Sequence, residues 1–340
     1  MNCAIHFEAH RRAETNSDIK EWESGMDSSV KNMIRTVGMV LAFAICVSAS
    51  THAKTYKFVM PVPKGLSIGS IGQMTKNAGK AINQKTGMDI VVEEYEYTYL
   101  GSPMEVLLDK LNKDQIDFLM VFPMEYLMYK MNHPKDKSIP LFTITMFGKP
   151  FYQVCFYTRK SDNITKPDAL KGKVWGGVRM RYAEYLLHQH NIKTPMGQFF
   201  SKQKFLREEN IAVMLDAVIK GDVDVITMPT YQVNMVANTD KKYQAVSAVG
   251  CQDYEHNWII VYRKGVPKSD AEALKKAFLV MHKDKDFAQF KFLLTAVKGK
   301  FVDVNIKDLQ TTAKIAKLMQ KYKWLKTEAA YIKKHEKEAQ

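Results

Sequence analysis

Twice along this chain the order strand, helix, strand, helix, strand recurs, and two such units read as two α/β lobes built to one plan. In the first unit a strand at 56–60 leads through a Pro/Gly loop into a helix over 68–85 that stops before Gly87, and a strand follows at 90–95. Ser102, Pro103 and Glu105 open the next helix as a capping box with proline in its first turn, and 116–121 is the closing strand. In the second unit 173–175 is a strand, Gly176-Gly177 a loop, 182–190 a helix and 196–200 a weak strand. A helix over 209–220 then ends at Gly221, ahead of a strand at 223–227. Placing Asp117 on Asp224 also sets Val106, Leu108, Asp109 and Lys113 on Val213, Leu215, Asp216 and Lys220.

Apolar strands at 151–158 and 258–262 have no counterpart inside either unit and read as the crossings between lobes. Helices over 269–283, capped by Ser269, and over 308–325 return to the first lobe; the Lys/Glu-rich end reads as a solvated helix. The resulting division is an N-terminal extension and leader (1–53), lobe 1 (54–150), lobe 2 (151–255), a return to lobe 1 (256–325) and a charged C-terminal helix (326–340). A chain of 340 residues, 46% of them hydrophobic, can bury cores for both lobes.

The leader is read from Met33-Ile34-Arg35, an apolar run at 37–47 too short to span a bilayer, and small residues up to Thr51-His52-Ala53. That pattern predicts cleavage before Lys54 and export to the periplasm; residues 1–32 lack helical periodicity, and initiation is expected at Met26 or Met33. An uncleaved anchor and a lipid-bearing Cys46 are the alternatives. The formal net charge of +14 steers anions towards the surface, and the lysines are scattered along helices with no nucleic-acid motif beside them. A small anion is therefore the expected partner, and a monomer the expected state.

Cys155 and Cys251 follow the leader and can be bonded or free in an oxidising compartment. No C-x-x-C, H-E-x-x-H, G-x-S-x-G or cysteine–histidine signature occurs, so no enzyme activity, metal or cofactor is expected. His188 and His190 lie two apart on a helix and face different ways, and Met120, Met124, Met128 and Met131 read as packing.

Three stretches carry a resemblance: Ile164-Thr165-Lys166-Pro167-Asp168-Ala169-Leu170-Lys171-Gly172-Lys173, Gln115-Ile116-Asp117-Phe118 leading to Pro123-Met124-Glu125-Tyr126, and Ala217-Val218-Ile219-Lys220-Gly221-Asp222-Val223-Asp224. In order and spacing they resemble the phosphate/phosphite/phosphonate-type periplasmic binding proteins of ABC transporters, over nearly all of residues 54–325. The resemblance implies a type II periplasmic-binding fold: two α/β lobes on a two-strand hinge that close over a ligand for a membrane permease. It also implies that Tyr152, in Pro150-Phe151-Tyr152, faces that ligand. Where the family places a Ser/Thr-rich turn, this chain reads Gly176-Gly177-Val178-Arg179-Met180-Arg181-Tyr182.

A glycine-rich turn entering a helix offers unpaired N–H groups, and arginine adds a planar charged fork, so Arg179, Arg181 and Tyr182 are candidate anion ligands. Two arginines two apart diverge if the segment is extended. Ligands of open α/β sheets bind beyond the carboxyl ends of strands, which adds Lys64, Ser67, Tyr126, Thr230 and Tyr231. Tyr97 and Tyr99 offer amphipathic rings, and His256 is a hinge candidate. Two rival functions are a TRAP-type receptor for an organic acid, suggested by Lys85-Thr86-Gly87 and Leu100-Gly101-Ser102, and a sensory module serving a histidine kinase or chemoreceptor.

Overall fold

The computed structural model describes residues 54–63, 69–97, 103–206, 211–288 and 297–338, together with 291, 294 and 295. The leader, Lys64, Ser67 and Tyr99 lie outside the described residues. In the first half β1 (Thr55–Pro63), α1 (Gly69–Thr86), β2 (Asp89–Tyr97), α2 (Met104–Asn112), β3 (Phe118–Val121), α3 (Pro123–Asn132) and β4 (Ile139–Thr145) follow one another. Next come β5 (Phe151–Arg159), β6 (Val174–Gly177), α4 (Met180–Gln189), α5 (Met196–Phe199), β7 (Lys202–Phe205), α6 (Ile211–Lys220), β8 (Val225–Pro229), α7 (Thr230–Thr239) and β9 (Val246–His256). The chain then runs through β10 (Ile259–Tyr262), α8 (Lys268–Val280), β11 (Lys300–Asp303), α9 (Ile306–Lys321) and α10 (Trp324–Glu338).

The strands form two sheets, ordered β11-β4-β10-β3-β1-β2 and β7-β6-β8-β5-β9. Laid over each other, β2-β1-β3-β10 and β7-β6-β8-β5 are the same construction: three parallel strands with an antiparallel fourth. The repeated aspartate has one structural task in both. Asp117 accepts the Lys57 amide of β1 at 2.9 Å and is gripped by Arg263, just past β10. Asp224 accepts the Val174 amide of β6 at 2.9 Å and pairs with Arg159, at the end of β5, at 3.1 Å. In each lobe the carboxylate locks the entry of the third strand to the first and to the antiparallel fourth.

Several expected elements differ. The strands at 151–158 and 258–262 are not the crossings: β5 lies wholly in the second sheet and β10 in the first, because each serves as the antiparallel fourth strand of its lobe. The chain crosses just before each of them. Residues 146–150 turn tightly through Phe147 and Gly148, both at positive φ, with Met146 and Lys149 bonded to each other. The second crossing is stapled to the first by Asn257, whose amide donates to Pro150 O at 2.7 Å and whose Nδ2 donates to Ile144 O and Lys149 O. The stretch 196–200 is not a strand but the one-turn helix α5, started by Pro195 at its N-cap; β7 begins at Lys202. The Ser269 cap does not form, since Pro267 holds the N-cap position of α8 and makes no side-chain cap; Pro103 holds the N-cap position of α2, and Ser102 lies outside the described residues.

The C-terminal helices also depart from expectation. Leu309 of α9 joins the first lobe's core beside Val59 and Leu108, while Ile315, Ala316 and Met319 join the second lobe's core. One helix thus packs on both lobes instead of returning to the first. Nor is α10 a solvated rod: Trp324, Glu328 and Ile332 are buried, spaced four apart on one face.

Cys155 and Cys251 form a disulfide, with Cα atoms 4.2 Å apart, that ties the bulged strand β9 to β5 inside the second lobe. It closes a sequence separation of 96 residues, and Cys251 is exposed to reductant. Replacing both cysteines by serine is expected to cost about 2–5 kcal/mol in a urea melt. A loss under about 1 kcal/mol would show that the β5–β9 pairing alone holds the edge strand.

Candidate functional site

The carboxyl ends of β1, β2 and β3 share one edge of the first sheet because the three strands are parallel, and α3 starts there. Phe122 is extended at the N-cap and Pro123 occupies the first helical position, where a missing N–H removes nothing. The next amide, of Met124, donates to Glu255 Oε2 at 3.0 Å. Glu255 stands near the end of β9, and its other oxygen accepts the Tyr152 hydroxyl. A carboxylate from the second lobe's sheet is therefore seated on a helix N-terminus of the first.

In the second lobe β6 delivers the chain to α4. The two glycines before it are required by packing rather than by a ligand. A Cβ on Gly176 would lie 2.6 Å from Leu206 and 2.9 Å from Val223, and Gly177, at φ +147°, lies against the Trp175 ring. Because the helix starts at Met180, Arg179 at the N-cap and Arg181 in the first turn converge instead of diverging. Both reach Glu328 of α10: its Oε1 lies 3.5 Å from Arg179 Nη1 and 3.4 Å from Arg181 Nη1, and its Oε2 accepts the Arg181 amide at 3.0 Å.

A tyrosine cluster fills the space between these two seats. Tyr254 meets Tyr182 and Tyr185 edge-on with centroids 5.0 Å apart, and Tyr152 lies 5.8 Å from Tyr254 and 5.6 Å from Tyr231. Tyr231, from α7 of the second lobe, also packs on the first lobe's apolar cluster. Burial works against the charge of Arg181, but Glu328 together with Tyr254, Tyr182 and Glu125 outweighs it and holds the guanidinium protonated well above its ordinary range. Burial pushes Glu255 up, an effect only partly offset by the Tyr152 hydroxyl, the charge of Arg181 and the Met124 amide.

Of the expected ligand residues, Arg179, Arg181, Tyr182, Tyr152 and Tyr231 gather here, with Thr230 opening α7 next to Tyr231. Tyr126 does not: it is buried in the first lobe's core, and its hydroxyl accepts from Ser138 Oγ at 3.3 Å. His256 is buried at the hinge, its amide donating to Thr312 Oγ1 of α9 at 2.8 Å and its Nδ1 3.3 Å from Thr143 Oγ1. That pins α9 to the crossing. His188 packs on Tyr322 and Trp324 while His190 faces Gly250 O, and among the described residues no group of three His, Cys, Asp or Glu side chains could hold a metal. No described helix is long and apolar enough to cross a membrane.

Glu255, Glu328 and Tyr254 stand in the candidate site and Asn257 at the crossings, and none of them was among the residues expected from the sequence. A signal existed for Glu328, which shares the stripe Trp324, Tyr331, Ile332 and His335.

Glu255 is shifted in the opposite sense to Asp136 and Asp224. Glu255, raised in the fold, contributes stability that is present below its unfolded value and lost as pH rises through its folded one. Asp136 and Asp224 are lowered, because bonds from Lys130, Ser138 and Asn112, and from Val174 and Arg159, outweigh burial; their contribution is lost as pH falls through the folded values. The melting temperature is therefore expected to rise slightly from neutrality to about pH 5 and to fall below about pH 4. Glu255→Gln should abolish the rise; persistence of the rise in that variant would assign it elsewhere.

Two α/β lobes of matched topology, joined by two crossings with helix N-termini facing the seam, define the type II periplasmic-binding fold. The likeness to solved structures agrees. A methylphosphonate complex of PhnD1 from Prochlorococcus marinus matches with a TM-score of 0.58 at 13% identity, covering 79% of this chain and 100% of that one. A Xanthomonas citri protein bound to chloride ion matches with a TM-score of 0.58 at 12% identity, covering 79% and 99%. A binding-protein component of an ABC phosphonate transporter from Pseudomonas aeruginosa matches with a TM-score of 0.52 at 16% identity, covering 84% and 99%. No curated protein sequence matches. Residues 72–307 match the family described as the periplasmic substrate-binding protein of the phosphonate ABC transporter, and the chain belongs to that family. It is a substrate-binding protein, not an enzyme, and the family match favours the ABC class over a TRAP-type receptor or a kinase-linked sensor.

Proposed function

We propose that this protein captures a small oxyanion of the phosphonate or phosphate class between its lobes and hands it to the permease of an ABC importer. The observation that carries this reading is the convergence of Arg179, Arg181 and the first-turn amide of α4 on one carboxylate group, a donor set that suits an oxyanion. A net charge of +14 supports it by raising the rate of anion capture. The hinge is residues 146–150 and 257–258, with 54–150 and 151–255 as the bodies that close. Export follows from a leader at 33–53 cleaved before Lys54, which N-terminal sequencing of periplasmic material tests.

Ligand bound only to the folded state raises its stability, so a thermal-shift screen followed by calorimetry reads the ligand class directly. Methylphosphonate, phosphate, phosphite, sulfate, alkanesulfonates and carboxylates form the panel. Stabilisation by a phosphonate or phosphate, rising with its concentration, is the expected result. Stabilisation only by carboxylates, or by none of the panel, would overturn the assignment.

A further inference from the structure

The α4 seat is already filled, and by the chain itself. Glu328 is 3% exposed and lies on a helix whose buried face, Trp324 and Ile332, packs into the second lobe. It fits the seat poorly. Its Oε1 stands 3.5 and 3.4 Å from the two arginine nitrogens, where a charge-assisted N–H···O bond measures about 2.7–2.9 Å. Arg181 Nε is buried and has no partner among the described residues. A carboxylate has two oxygens and is held here at the reach of a helix; a tetrahedral oxyanion has three or more and is free to centre itself between the donors.

We infer that α10 is a tethered, displaceable occupant of the anion seat: Glu328 stands in for the ligand's anionic group, and capture of an oxyanion expels its carboxylate from the Arg179–Arg181 turn. The inference rests on the anion-capture reading above. Its consequence is a threshold. While Glu328 is seated only the fraction of molecules with an open seat binds, and apparent affinity is reduced by that fraction. A second consequence is mechanical, because α10 follows directly on α9, which is bonded to the hinge at His256 and packs on both lobes. Displacement of Glu328 thereby loosens the helix that reports lobe position.

The test uses the full mature chain with methylphosphonate and inorganic phosphate as probes, and calorimetry on wild type and Glu328→Gln. The neutral amide keeps the shape but loses the charge that holds the arginines, so affinity is expected to rise about tenfold or more. Hydrogen exchange on the wild type is the second readout and does not depend on the variant folding: at saturating methylphosphonate the amides of 324–338 should exchange faster. A folded Glu328→Gln that binds equally or more weakly than wild type overturns the inference, as does unchanged or slower exchange of α10 at saturation, and in either case the anion reading survives because wild type still binds. If neither protein binds either probe, the anion reading itself falls and the inference falls with it.

Discussion

Asp117→Ala is expected to destabilise the protein by about 3–5 kcal/mol, the cost of leaving a buried guanidinium without its counter-ion. Asp117 and Arg263 have side chains only 10% and 11% exposed, and they meet at 2.7 and 2.8 Å. The same carboxylate accepts the Lys57 amide, so its loss also orphans an N–H at the start of β1. Asp224→Ala removes the equivalent lock in the other lobe, but there the side chains of Asp224 and Arg159 are 26% and 24% exposed, and water can reach the freed arginine. Its cost is set at roughly half as much. Urea melts of both variants and of Asp117→Asn, which keeps an acceptor for Lys57 but not the charge, separate the two contributions. A loss under about 1 kcal/mol for Asp117→Ala would mean that Asp114, 3.1 Å from Arg263, suffices as its partner.

That pair of aspartates also explains what could be read from sequence. Asp117 and Asp224 recur because each must bind the first strand's amide and the fourth strand's arginine, and such a local geometric demand leaves matching residues in both copies. The alternation of apolar runs with helical periods is equally local, so most elements fall within two or three residues of their expected ends. What failed was non-local or turned on one residue. Proline displaced the Ser269 cap, and it turned 196–200 from strand to helix, because a preset φ at an N-cap decides in a short segment what propensity leaves open. The arginine turn was legible as an anion seat, yet its occupant lies 147 residues downstream of Arg181 in a Lys/Glu-rich run whose composition looks solvated. Tyr126 shows the converse: position at a strand's carboxyl end selects a neighbourhood, and the helical phase that follows decides whether the ring meets the seam or the core.

Arg181→Ala is expected to weaken capture of the anion by tens to thousands of fold, about 2–5 kcal/mol, since a partly desolvated oxyanion then loses its planar fork. Arg179→Ala should cost less, because Arg179 stands at the N-cap while the Arg181 backbone amide and guanidinium both face the seat. Lys314 and Lys317, exposed on α9, are the controls: their removal should slow association and soften its salt dependence while leaving dissociation unchanged. The contrast separates a contact in the site from a contribution to the long-range field, which affinity alone does not. Stopped-flow rates at two ionic strengths, alongside calorimetry, supply it. If both arginine variants fold and bind as wild type does, the turn serves only to dock α10, and the anion must sit at the first lobe's edge, where β1 ends beside β3 and the N-terminus of α3.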